Sequence, residues 1–366
     1  MLKRNVRWTA WLAIVLVLAL GLAGCGGGKE ASTGISPSAS GEAGASGSTS
    51  NPLSGKKIAL VMRFNTGTFS AQYIEGVKEQ VEKLGGKVTV LASDNDLARM
   101  ASNLDAAINQ KPDGILIDHG DAGALAAGVQ RAVGQNIPVV AFDSDIPVAG
   151  VVNLQQDDAK LTAVTLDKLA ADAGGKGTIV KIWVAGFPPM ERRQAAYKEF
   201  MAKNPGIKEI AAFGNANNPM LDAQSQMEAI LKKYPNKGDI TAVWAAWDEF
   251  AKGAAQAIKQ AGRTEIKVYG IDMSDEDLQL IQDKSGPWVA SAAVDPKDIG
   301  RVQVRYLYQK LHGDQAPDKV VLPPVLVDRA SLPEQKISTA ELSKHVKGWG
   351  SSEQGYTDWL KAAEKK

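Results

Sequence analysis

The residues best placed for chemistry directly follow short apolar runs: Arg63, Asp118-His119, Asp143, Trp247-Asp248, Asp272 and Asp295. An ionised carboxylate only accepts hydrogen bonds, a guanidinium only donates, and an indole offers one N–H beside a large apolar face. Such a set suits gripping a small polar solute. An aspartate after a strand also has a plainer use, as the cap of the next helix. That use is expected of Asp118 and Asp248. It fits Asp143 and Asp272 less well, since Ser-Asp-Ile-Pro and Met-Ser-Asp-Glu follow them and Ser274 is the better cap. His119 is the one candidate base near such a cleft.

Motifs for bond-breaking are missing. Gly28-Lys29 is followed by Glu30 instead of Ser or Thr, and Gly174-Gly175-Lys176-Gly177 precedes a strand instead of opening a helix, so neither is a phosphate or dinucleotide loop. There is no Gly-x-Ser-x-Gly elbow and no His-Glu-x-x-His. Asp94-Asn95-Asp96 lacks the glycine and distal glutamate of a calcium loop. The chain has one cysteine, Cys25, and three histidines, His119, His312 and His345, without metal-ligand spacing. No catalytic residue, cofactor or metal is expected. Binding without chemistry is the reading.

The elements that must position these residues alternate along the chain. Strand-like runs at 58–62, 88–91, 114–117, 137–142, 150–152, 178–184, 207–213, 240–246, 266–271 and 288–294 are separated by helical patterns of 12 to 17 residues. Runs apolar on both faces, each followed by a helix, indicate parallel sheets covered on both sides. The expected fold is α/β, two doubly wound parallel-sheet lobes. In such sheets ligands lie beyond the carboxyl ends of the strands, where the candidate residues fall. Lys and Arg total 42 against 41 Asp and Glu, a net charge of +1 over 366 residues. That balance argues against a nucleic-acid partner.

Lys3, Arg4 and Arg7 precede an apolar stretch from Trp8 to Leu22, shorter than the roughly 20 residues of a membrane span. It ends in Leu22-Ala23-Gly24-Cys25, which looks like a bacterial lipobox with Cys25 as the lipidation site. Residues 1–24 then form a lipoprotein signal peptide. Residues 25–55, rich in Gly and Ser, form a tether that cannot bury enough apolar surface to fold. Its coil spans about 30 Å. The expected address is exported, lipid-anchored to the outer face of the cytoplasmic membrane.

Residues from about 56 to 330 resemble the periplasmic sugar-binding proteins of ABC importers, the ribose- and galactose-binding group of type I folds. The likeness is carried by KIALVMRFNTGTF (57–69), KPDGILI (111–117), NIPVVAFDSD (136–145), ERRQAAYKEF (191–200), AVWAAWDEFAKGA (242–254) and VYGIDMS (268–274). It implies a first lobe of 56–156 plus 295–323 and a second of 157–294 plus 324–332. A three-crossover hinge would join them, and 333–366 would be a C-terminal extension. It also implies that Phe69 stacks on the sugar, that Asp143 and Asp272 accept from its hydroxyls, and that Arg193, with Arg192 as competitor, donates to them.

Arg63, Phe64, His119 and Trp247 complete the expected ligand-binding set. Departures from the ribose pattern are Ser144 in place of arginine, Trp247 in place of asparagine, Val294 in place of glutamine, and the larger Arg63 and Phe64. Trp247 is expected to stack opposite Phe69, favouring a ligand with an extended C–H face. A sugar, polyol or nucleoside-like molecule is expected. The partners implied are an ABC permease with its ATPase, and the protein is expected to be a monomer. The alternative is a sensory lipoprotein presenting its ligand to a receptor or kinase. Ser338-Thr339-Ala340-Glu341 reads as a capping box opening a short helix in the extension. Trp349, Tyr356 and Trp359 beyond it either pack back or meet the permease.

Overall fold

A computed structural model describes residues 53–364. The leader, Cys25 and nearly all of the tether lie outside the described residues. Five strands open the body: β1 (Lys57–Met62), β2 (Lys87–Ala92), β3 (Gly114–Asp118), β4 (Val139–Phe142) and β5 (Val152–Gln156). Five more follow: β6 (Gly177–Ile182), β7 (Ile207–Phe213), β8 (Ala242–Ala245), β9 (Lys267–Ile271) and β10 (Trp288–Ala293). Then β11 (Lys319–Leu322) returns to the first sheet and β12 (Val325–Asp328) to the second. The sheets run β11-β5-β4-β3-β1-β2 and β12-β10-β9-β8-β6-β7. All neighbours are parallel except β12, which pairs antiparallel with β10. Every residue of β3, β4 and β8 is buried, as a strand covered on both faces requires. The fold class matches the expectation from sequence.

The helices of the first lobe are α1 (Gly67–Lys83), α2 (Leu97–Asn109) and α3 (Ala122–Gly134). In the second lobe they are α4 (Asp158–Asp172), α5 (Pro188–Lys203), α6 (Pro219–Lys233), α7 (Asp248–Gln260) and α8 (Asp275–Gln282). The chain crosses between lobes after β5, after β10 and after β11. The second crossing leads into α9 (Pro296–His312), which packs on α1 beside the first sheet. These two helices meet backbone to backbone. A Cβ on Gly76 would lie 2.2 Å from the Lys297 carbonyl, and one on Gly300 would lie 2.6 Å from that of Tyr73.

Capping separates structural aspartates from free ones. Asp96 accepts from the backbone N–H groups of Ala98 and Arg99, and Ser274 with Asp277 forms the capping box of α8. Two cap expectations fail. Asp121, not Asp118, caps α3. Trp247 occupies the cap position of α7, with Asp248 as the first helical residue. The two failures run in opposite directions: the turn after β3 continues to Asp121, whereas α7 begins one residue earlier than expected, directly after Trp247. Asp248 is thereby left lining the cleft, while Asp118 pairs with the neighbouring His119 ring.

Beyond β12 the extension packs back on the body. A 3-10 helix at Thr339–Lys344, opened by the expected capping box, leads to Trp349 in the core of the second lobe. Tyr356, Trp359 and α10 (Asp358–Ala363) lie against the core of the first. Among the described residues no helix is long and apolar enough to cross a membrane.

Candidate functional site

The strands deliver side chains to the cleft through unusual turns. His119, Asp143 and Asp272 follow β3, β4 and β9 with φ of +52°, +45° and +74°. That left-handed region is sterically costly except for Gly, and Asn, Asp and His tolerate it best. The turn brings each chain sharply out of its strand and sends its side chain toward the gap between lobes. The same three residues stand out in the sequence because they directly follow apolar runs.

A cavity of about 50 Å³ lies in that gap, several times the roughly 10–15 Å³ that one water needs. Its polar lining includes His119, Gln156, Arg193, Asp248, Glu249 and Asp272, and its aromatic lining is Phe64, Phe69, Phe187 and Trp247. Arg193 is 2% exposed. It donates through Nε to Asp158 at 2.7 Å, and through Nη1 to the Ala246 carbonyl at 2.6 Å and to Asp272 at 3.2 Å. Desolvation works against its charge, but Asp272 and Asp158 outweigh it and raise its pKa. Gln156, at the first crossover, donates to Asp272 at 3.2 Å and leaves its own Oε1 without a partner.

Asp143 sits behind this lining instead of in it. Its Oδ1 accepts from Arg192 Nη2 at 2.7 Å, and the same guanidinium reaches Asp145 and Asp158 at 2.7 Å each. Arg192 therefore ties the second lobe to the first. The Oδ2 of Asp143 has no hydrogen-bond partner and lies 4.0 Å from His119 Nε2. Burial, then the charge of Asp158, pushes the Asp143 carboxyl up to about 7. His119 is pulled down by burial, but the Asp118 carboxylate at 2.8 Å from Nδ1 prevails and raises it to about 8. Asp248 is fully buried, with one oxygen taken by the Glu249 backbone and the other unpartnered. Desolvation and the nearby Asp277 hold its carboxyl well above the usual range.

The aromatic wall differs from expectation in its pairing. Trp247 meets Phe64 at 5.8 Å between centroids and Phe250 at 5.3 Å, and Phe64 also meets Phe187 at 5.7 Å. The ring in direct contact with Trp247 is Phe64, which lies between β1 and α1. Phe69 lines the cavity while also packing on the first core. Arg63 is set back from the cavity. Its Nε donates to Asn95 at 2.9 Å and its guanidinium covers the Phe187 ring at 4.0 Å. Trp183 lies just past β6, its Nε1 bonded to the Met190 carbonyl at 2.7 Å. Gln156, Phe187 and Glu249 were not singled out from sequence. Of these only Glu249 sits in a motif, next to Asp248.

These features gather ligand-type donors and acceptors beside an aromatic face, between two lobes that close on each other. The periplasmic binding protein domain matches residues 58–315. The ribose import binding protein of Escherichia coli (strain K12) is 25% identical over 273 residues, covering 74% of this chain and 90% of that protein. The xylitol-binding protein of Mycolicibacterium smegmatis is 28% identical over 240 residues, covering 65% and 67%. Among solved structures, a sugar ABC transporter protein from Yersinia enterocolitica has a TM-score of 0.81 and 38% identity, covering 85% of this chain and 95% of that one. A 5-methylthioribose transporter solute binding protein from Thermotoga lettingae, in complex with 5-methylthioribose, has a TM-score of 0.80 and 33% identity, covering 84% and 98%. The chain belongs to the periplasmic binding protein family, whose members similar to it are non-enzymatic sugar-import binding proteins.

Proposed function

We propose that this protein is an extracytoplasmic lipoprotein, anchored through Cys25, that captures a sugar bearing an apolar substituent and delivers it to an ABC import permease. The observation that carries the ligand class is the division of the cavity. One side offers Arg193, Asp272, Asp248 and Gln156 to hydroxyls, and the other presents Phe64, Phe187 and Trp247. A plain pentose needs donors and acceptors around its whole rim, because each hydroxyl buried without a partner is costly. Three clustered rings supply a single indole N–H between them, and instead chiefly reward burial of apolar surface at about 25 cal/mol per Å². A methylthio group on a ribose has that surface, and the likeness to the 5-methylthioribose-binding protein supports the same class. In this reading Arg192 and Asp143 join the lobes behind the polar end of the ligand, while Arg193 and Asp272 face it from the second lobe.

Isothermal calorimetry against 5-methylthioribose, ribose, xylitol and allitol tests the proposal. The thioether sugar is expected to bind at least tenfold more tightly than ribose. Equal or tighter binding of ribose would overturn the substituent reading.

A further inference from the structure

We propose that the C-terminal extension is a fourth connection between the lobes, one that biases the cleft toward closure before any ligand arrives. Its first half is built into the second lobe. Leu342, Val346 and Trp349 are buried in that core, and Trp349 Nε1 donates to the Thr339 carbonyl at 2.8 Å. Gln282 holds the Pro333 and Gln335 carbonyls at 3.1 and 2.9 Å. Its second half belongs to the first lobe. Leu360 is fully buried there, and Tyr356 lies under the Arg305 guanidinium at 3.6 Å. Arg305 and Gln309 of α9 donate to the Ser352 and Gly355 carbonyls at 2.7 and 2.8 Å.

The residues between these anchors run beside the hinge. Gly348 to Gln354 share a groove with Val294, Asp295, Leu322 and Pro323, the second and third crossovers. The passage is tight. Gly350 has φ of +64°, and a Cβ there would stand 2.9 Å from Asp295 Oδ2. The backbone N–H of Ser352 is held by Asp298 at 2.9 Å. A short crossing with both ends embedded in separate cores restrains how far those cores can rotate apart.

The extension also holds a contact between the lobes directly. Gln72 of α1 donates to Thr339 Oγ1 at 2.8 Å and to Asp275 at 3.1 Å, while Asp275 accepts from the Thr339 backbone N–H at 2.6 Å. Gln72 and Thr339 are both buried, 5% and 3% exposed. One residue each from the first lobe, the second lobe and the extension thus meet in a three-way lock. Opening would break it and leave the Gln72 amide without its partners.

The test needs no ligand, so its failure is separate from failure of the sugar assignment. A Gly-Ser-Gly-Ser insertion between Gly350 and Ser351 keeps both anchors docked and lengthens only the crossing. Thr339→Val weakens the lock by removing its hydroxyl bonds to Gln72 and Asp275 while leaving the crossing intact, and it decides the matter if the insertion lowers the melting temperature. Small-angle scattering of ligand-free full-length protein is expected to show a larger radius of gyration for each variant. With 5-methylthioribose as probe, the apparent Kd should rise roughly 3- to 10-fold, in proportion to the lost closed fraction. A radius of gyration unchanged from wild type in Thr339→Val and in a stably folded insertion variant would overturn the proposal, leaving the extension as packing alone.

Discussion

Replacing Arg193 with methionine separates structural from ligand roles at the centre of the cleft. The side chain is buried and makes three kinds of bond: to Asp158, to Asp272 and to the Ala246 carbonyl. Methionine keeps an unbranched apolar stem and loses every donor. Asp158, which is 1% exposed, then keeps Arg192 as its cationic partner, and Asp272, at 5%, keeps only the neutral Gln156 amide. Breaking a buried ion pair by removing one member costs about 3–5 kcal/mol. At roughly 2–4 °C per kcal/mol for a domain of this size, the melting temperature should fall by about 6–20 °C.

The pH dependence sharpens this test. Desolvation already raises the Asp158 carboxyl, and Arg193 is the largest influence lowering it. Without that guanidinium its folded pKa climbs further above the unfolded value. A carboxyl raised in the folded state binds protons preferentially there, so stability falls as pH rises through its folded pKa. The deficit relative to wild type should be small near pH 4.5 and larger near pH 7.5. Differential scanning calorimetry at both values reads it. A fall of less than about 2 °C at pH 7.5, or an equal fall at both pH values, would refute the idea that Arg193 holds the second-lobe wall of the cleft together.

Trp247→Asn should weaken binding of a thioether sugar at least tenfold while sharpening discrimination between hydroxyl epimers, because an amide supplies a donor and an acceptor where the indole gives mainly a face. Calorimetry with paired epimers checks it; unchanged affinity and selectivity would mean the indole does not touch the ligand. His119 is raised to about 8 in the folded protein, so its stabilising contribution is complete below its unfolded value of about 6.5 and is lost as pH rises through about 8. His119→Gln should accordingly flatten the slope of melting temperature against pH between 6.5 and 8; an unaltered slope would show the pair with Asp118 to be without consequence. Cys25→Ala should remove acyl mass from membrane-extracted protein and leave ligand affinity intact, as intact-mass analysis and calorimetry can establish.

Much of this architecture is legible in the chain because its signals are local. The run 114–117 becomes β3 and 158–172 becomes α4 because hydrophobic periodicity is set by residues two to four positions apart. Ser274 and Ser338 open helices through carboxylates three residues on, a distance a sequence displays directly. The short strands β11 and β12 are less visible, since each has four residues and Pro323-Pro324 separates them.

By itself, the sequence determined the two-lobed α/β fold and the strand ends from which the cleft is built, and it singled out the residues that turn there. Only the tertiary structure decided which of them meet. Gln156 and Asp272 are 116 residues apart, and Arg192 and Asp143 are 49 apart; nothing in either neighbourhood specifies the other. The choice of Phe64 over Phe69 as the ring opposite Trp247, and the recess of Arg63 behind Phe187, depend on how closely two lobes approach. Local spacing encodes the direction in which a side chain leaves its strand, whereas its partners are set by closure of a hinge and the packing of separate cores.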